Sequence, residues 1–448
     1  MSQDIENESS SVSSSKPVTE TDSRQSKETD WDPKLNEDLS SEKGDSLREK
    51  IQSNKTSVYQ SQHLLLENKN YEKSIHKLYK KKPIWLQLVI VIFCAFLFGW
   101  GIEKGRVFQP DVIMDQFIFK RWLMMKMFLS AITTSFIFKT LLSLSPKTKS
   151  LIVLGRNYFF EEDNGLYATL LGGFLLGSGM YLCGACPGTL FTQFGAGINP
   201  WATFLGGILA SLIFGLFRHK WIKFINAKSW TKKNRSLDAI LKKPFWVPAS
   251  AIIAILVLVI VVLEILVPSK KELEAVVPEA TKNSTGFVGF WQAQYWYPEL
   301  AGLFVGSVEV LYNVFLQDGM GSASSYTTIL AVPIGKISKK TVEKFPGLKS
   351  LSKGWGAYQQ VIYALFAVLF SFTSATASDT WITSVTVNKG IRFLGGFFII
   401  MGSRLGAGCT SGNGIAAFSS LSIRALLFMP MIFVGAIPTG FIFNNLVR

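Results

Sequence analysis

The chain has 448 residues, 48% apolar and only 17% charged, a balance that excludes an ordinary assembly of soluble domains and indicates that lipid is the solvent. The formal net charge of +15 does not mark a nucleic-acid-binding protein: residues 1–50 carry thirteen Asp/Glu against seven Lys/Arg, and the basic excess lies in later segments beside apolar runs, where charge orients a protein in a bilayer. Four cysteines are too few for a disulfide framework, and all three histidines (His63, His76, His219) fall outside the apolar runs. Neither a resident metal nor a cofactor is therefore expected, and no G-x-x-x-x-G-K-[ST] loop offers a nucleotide site.

Residues 1–82 are rich in Ser, Glu and Lys and poor in aromatics, a composition that buries too little surface to offset chain entropy. They read as a disordered cytoplasmic tail, without the basic start and short apolar core of a secretory signal. Nine apolar runs follow, near 84–101, 124–142, 168–185, 201–217, 246–267, 298–316, 356–373, 391–408 and 425–443. Each approaches the ~20 residues that span the hydrocarbon core as a helix. The expected class is an all-α polytopic membrane protein that contacts membrane lipid.

Two runs are alike. From Leu171 and from Leu394, seven of sixteen ungapped positions are identical, including LGGF at the start and Cys186 against Cys409 at the end. GGILASLIF from Gly206 echoes GAIPTGFIF from Gly435. Two four-segment repeats are predicted, 83–217 and 298–448, separated at 218–297 by a basic loop, a linker helix and an outer loop. The single extra crossing inverts the second repeat, so that matching loops meet near the bilayer centre. Nine Lys/Arg against Asp238 in residues 218–243 place that loop and the N-terminus in the cytoplasm. The triplet Asn283-Ser284-Thr285 then lies in an outer loop. One stretch strains this scheme: 103–126, also external, carries Lys104, Arg106, Lys120, Arg121 and Lys126 against three acids. It is expected to fold back at the membrane surface.

The cysteine segments are also the glycine-rich ones, with eight Gly in 172–197 and seven in 395–414. Glycine permits close helix packing, but GACPG from Gly184 and GAGCTSGNG from Gly406 also contain helix-breaking Pro, Ser, Thr and Asn. Broken helices at membrane depth occur where they line a cavity or are buried in protein, and their free N–H groups suit an anion. Arg404, inside an apolar run five residues before Cys409, reads as a counter-charge. Glu264 and Glu309 have no motif around them and read equally as structural pairs or proton-coupling groups. Cys94 reads as a packing residue.

The glycine-flanked pair GACPG at Gly184 and AGCTSGNG at Ala407, with KGRVFQPDVI at Lys104 and KMFLSA at Lys126, resembles the YeeE/YedE-type sulphur-transport membrane proteins. The resemblance covers about 84–443 and implies uptake of thiosulfate, with cysteine thiols meeting the ion in turn. A neutral thiol offers a weak S–H donor without repelling a dianion, and its polarisable sulphur suits the terminal sulphur of thiosulfate. The residues expected along the path are Cys183, Cys186 and Cys409, with Gly184, Gly188, Gly408, Thr410, Ser411, Gly412, Asn413 and Arg404 around them. The chain departs from the family pattern in lacking a cysteine near Val107 or Phe108, in having Asn413 where histidine is frequent, and in the added Cys183. Two rivals stay open: a thiol oxidoreductase or sulphur-transferring enzyme using the Cys183–Cys186 pair, with a sulphur-accepting partner protein, and a channel for another small anion.

Overall fold

Backbone N–H and C=O groups in hydrocarbon must be satisfied within the chain, and a helix does this locally; every apolar run has taken that form. The computed structural model describes residues 83–161, 164–225, 236–277, 286–338, 345, 348, 355–382 and 387–447. The tail 1–82, Asn283-Ser284-Thr285 and Lys228, Lys232, Lys233 and Arg235 of the basic loop lie outside them.

In chain order the helices are α1 (Ile84–Lys104), α2 (Pro110–Asp115), α3 (Leu123–Leu144), α4 (Pro146–Glu161), α5 (Leu166–Cys183), α6 (Thr189–Gly195), α7 (Trp201–Phe224) and α8 (Leu237–Leu241). They continue as α9 (Trp246–Leu266), α10 (Ser269–Val276), α11 (Gly286–Gln292), α12 (Pro298–Leu311), α13 (Ser322–Ile337), α14 (Trp355–Ser378), α15 (Lys389–Leu405) and α16 (Ile423–Val447). A π turn, Tyr312–Leu316, prolongs α12, and a second, Thr410–Ala417, follows α15. Among the described residues eight helices are long and apolar enough to cross a bilayer, and α15 with its π turn, bent by 41°, is a broken span or a re-entrant loop, a ninth span in the first case. All nine predicted runs are thus accounted for, in an integral, multi-pass, all-α membrane protein.

The core is glycine-mediated. α5 packs along both α15 and α16, and α15 also packs along α7. Gly172 abuts the backbone of Gly402 and Gly406, Gly179 that of Gly395 and Ile399, Gly206 that of Phe393 and Phe397, and Gly435 that of Phe174. Any side chain at these positions would strike main chain, which is how small residues let helices approach closely without a hydrophobic driving force between them. A second layer pairs α3 with α12 and α14 with α1. α9 leans on α3 and exposes Ile255, Leu258, Val261 and Ile265, the apolar face that lipid covers.

The basic excess at 103–126 has a tertiary explanation. Lys104 and Arg106 both pair with Glu103, Arg121 with Asp115, and Lys126 with Glu264 on α9. Ser374 and Thr380 complete the Glu103 carboxylate at 2.6 and 2.8 Å. Four of the five cations in this stretch are thus paired with carboxylates. Glu264 and Glu309 are both ion-paired, the latter with Lys139 at 3.1 Å.

Candidate functional site

Two turns interrupt the central helices, each bearing one of the repeat-matched cysteines. α5 stops because Gly184 adopts a left-handed conformation (φ +58°) and donates to Met180 O, closing the helix end. A Cβ at Gly184 would strike Pro110, so glycine is required twice over. Cys186 follows. Its N–H donates to Thr189 Oγ1 at 2.8 Å, while its sulphur accepts from Thr189 N and Oγ1, both at 3.3 Å. Gly188 precedes α6 and leaves room for the Phe98 ring and the Ser322 hydroxyl. The Gln193 amide of α6 staples the turn from behind, donating to Gly184 O at 2.8 Å and Phe108 O at 2.9 Å. Cys183 donates to Ala185 O at 3.5 Å, and Cys94 packs against Val308 O on α12. All four cysteines are buried free thiols.

The second turn is built from the same parts differently arranged. After α15, Ala407 takes a positive φ of +50° and Cys409 lies fully buried. Its sulphur is 3.1 Å from Ser411 Oγ, and that hydroxyl donates to Met320 O at 3.1 Å, so the shared hydrogen belongs to the thiol. Asn413 donates to Gly406 O at 2.9 Å and Gly408 O at 3.1 Å, closing the loop on itself. Beyond it, Lys139 Nζ reaches Ala416 O, Ser419 and Ser420 at 2.8–3.0 Å as well as Glu309, anchoring the far end of the π turn.

A cavity of about 280 Å³ opens onto this second turn. Cys409, Gly408, Gly412, Arg404, Arg218 and Arg424 are among its lining residues, which include no Asp or Glu among the described residues. Arg404 Nη2 donates to Ala323 O and Thr327 Oγ1, which fixes the guanidinium at the cavity edge and ties α15 to α13. Thr410 faces another way, onto a space of about 30 Å³ bordered by Met124, Met125, Met180 and Met429. Ser411 and Asn413 are structural braces of the turn. Cys183, Gly184, Cys186 and Gly188 lie off the arginine cavity.

Residues that the motifs did not single out fill the space between the turns. Tyr326 of α13 donates its hydroxyl to Pro187 O at 3.5 Å, next to Cys186 in the first turn. Tyr363 of α14 packs against Phe98, ring centroids 5.6 Å apart. Both are buried. The G-M-G-S run at 319–322, another glycine-rich break after a span, carried the signal for the Met320 loop that meets Ser411. Nothing local in sequence marked the tyrosines, which sit in ordinary apolar helices.

A family model described as sulphur transport matches residues 104–437. The chain belongs to the sulphur-transport family. Among curated relatives, the thiosulfate transporter TsuA of Escherichia coli K12 is 20% identical over 357 residues, covering 77% of this chain and 91% of the relative. A probable transporter of Xylella fastidiosa Temecula1 is 27% identical over 151 residues, 33% of this chain and 94% of that protein; one from strain 9a5c aligns to the same extent. The protein is thus a membrane transporter for a sulphur-containing anion and not an enzyme.

Proposed function

We propose that the chain takes up thiosulfate along a path running between the two cysteine turns, with Cys186 and Cys409 as successive stations and Cys183 extending the first. The observation that carries this reading is the cavity whose described lining brings Arg218, Arg404 and Arg424 together with the Cys409 thiol. Clefts lined by one sign of charge concentrate ions of the other, and the thiol and the glycine-turn N–H groups offer soft and hard partners to the two ends of a thiosulfate ion. Sulfate presents oxygen at every position and gains nothing from a thiol. Arg404, held by α13, supplies counter-charge, while Gly184, Gly188, Gly408 and Gly412 keep the turns free of side chains that would crowd the ion.

The halves 83–217 and 298–448 form an inverted pair in this account, with the 218–297 segment between them and the N-terminus cytoplasmic. Reciprocity of the helix contacts supports it. In the aligned repeats Gly172 corresponds to Gly395 and Gly179 to Gly402, and Gly172 meets Gly402 as Gly395 meets Gly179. Likewise Gly206 meets Phe397 as Gly435 meets Phe174. Such exchanged contacts are what a two-fold relation between repeats generates. Labelled thiosulfate uptake by cells that lack other routes tests the substrate assignment, with sulfate and sulfite as competitors. Saturable uptake resisting excess sulfate is expected; uptake abolished equally by sulfate would overturn the role of the terminal sulphur.

A further inference from the structure

Six Lys and Arg side chains are buried among the described residues, and five have a carboxylate. Lys104 and Arg106 share Glu103, Lys126 has Glu264, Lys139 has Glu309, and Arg156 has Asp238. Arg392 on α15 is the sixth: it is 5% exposed, and among the described residues no acid lies within ion-pair distance and its Nε and Nη2 have no hydrogen-bond partner. Desolvating an ion costs several kcal/mol, and a protein that compensates five such charges has left this one to be met by something else.

Its surroundings indicate what. Arg392 stands one turn before Gly395, where an added Cβ would strike Cys183 N and Cβ. It therefore belongs to the stretch of α15 that packs on the end of α5, where the first cysteine turn begins. Arg404 lies twelve residues further along α15, about 18 Å by helical rise, at the cavity on the second turn. One helix carries a cation toward each cysteine turn.

We propose that Arg392 is the anion-capturing residue of a second station, on the Cys183–Cys186 side of the path, where its free Nε and Nη2 edge takes two oxygens of a tetrahedral oxyanion. This edge donates in a fork that matches two oxygens on one centre, a geometry a lysine does not reproduce. The inference rests on the thiosulfate reading for its preferred ligand, but the site asks only for a compact oxyanion. A lipid phosphate has the same chemistry, and the experiment separates the two sources.

The full chain is purified in neutral detergent, and its thermal unfolding is followed while thiosulfate, sulfate or a short-chain anionic phospholipid is added. A ligand that binds only the folded protein raises the midpoint in proportion to its occupancy. The concentration of thiosulfate giving half the maximal rise is expected to increase about tenfold or more in Arg392→Gln, with Arg392→Lys between, since charge-assisted forked bonds are worth at least a factor of ten. Without anion, Arg392→Gln is expected to be as stable as the intact chain or more so, because a charge without a partner has been removed. A purely structural arginine predicts the reverse: a less stable variant with unchanged anion dependence, and that result would overturn the proposal. So would an Arg392-dependent shift produced by the phospholipid and not by thiosulfate. Failure of thiosulfate uptake by the intact chain, with an Arg392-dependent shift retained, would count against the transport reading alone.

Discussion

The two cysteine turns share a place in the repeats and differ in how their sulphur is engaged. Cys186 Sγ accepts two contacts from Thr189, and no described acceptor takes its S–H. Cys409 gives its hydrogen to Ser411, which is fixed by Met320 O. The first turn is braced by a neutral amide, Gln193, and the second by a buried ion pair through Lys139. Positions that match in sequence thus have different chemistry: one thiol has its S–H unengaged among the described residues, and the other is aligned beside a basic cavity. In the proposed path such inequality would favour movement in one direction, since two identical stations would hold the ion equally.

The contrast can be broken first at its braces. Lys139→Ala would leave Glu309 buried and uncompensated and release Ala416 O, Ser419 and Ser420, at a cost of about 3–5 kcal/mol. The expected result is a large drop in folded protein recovered in detergent; recovery and melting temperature equal to the intact chain would show that the second turn does not depend on this pair. Gln193→Leu removes two bonds from the first turn without stranding a charge. It should cost about 1–2 kcal/mol, since intramembrane side-chain bonds average well under 1 kcal/mol each and two carbonyls lose their donor. A thermal shift as large as that of Lys139→Ala would remove the distinction between the braces.

Smaller changes sharpen the difference at sulphur. Thr189→Val deletes the hydroxyl on Cys186 with little change of volume and leaves the Cys186 N–H without its acceptor, for a stability effect of about 1 kcal/mol. Reaction of the purified protein with a small thiol reagent should speed up at Cys186 and stay the same at Cys409, read by mass spectrometry. The double change Arg218→Gln, Arg424→Gln dilutes charge at the cavity without touching either turn. It should raise the KM for uptake a few-fold and weaken its dependence on ionic strength, because charges of one sign lining a cleft act by steering; an unchanged salt dependence would mean the cavity does not recruit the ion.

Much of this molecule was legible in its sequence. The nine apolar runs are all helical, as their length foretold, and Gly184, Cys186 and Cys409 stand at interrupted helix ends as the breaker residues around them foretold. What sequence concealed is tertiary pairing. Lys139 and Glu309, or Lys126 and Glu264, lie more than a hundred residues apart and look like unrelated intrusions into apolar helices. Tyr326, which meets Pro187 O, and Tyr363, which packs on Phe98, are buried in helices whose apolar composition does not mark them. Arg392 sits near the start of an apolar run, where a basic residue ordinarily reads as an interfacial anchor; only its burial without a carboxylate sets it apart.

The central claim is that both thiols serve the same ion in succession. Its most direct test is uptake of labelled thiosulfate by cells lacking other routes, comparing the intact chain with Cys186→Ala and Cys409→Ala at matched abundance in the membrane. Loss of most uptake in each variant, with both proteins folded, is the predicted result; uptake undiminished in both would confine the cysteines to packing and contradict the account.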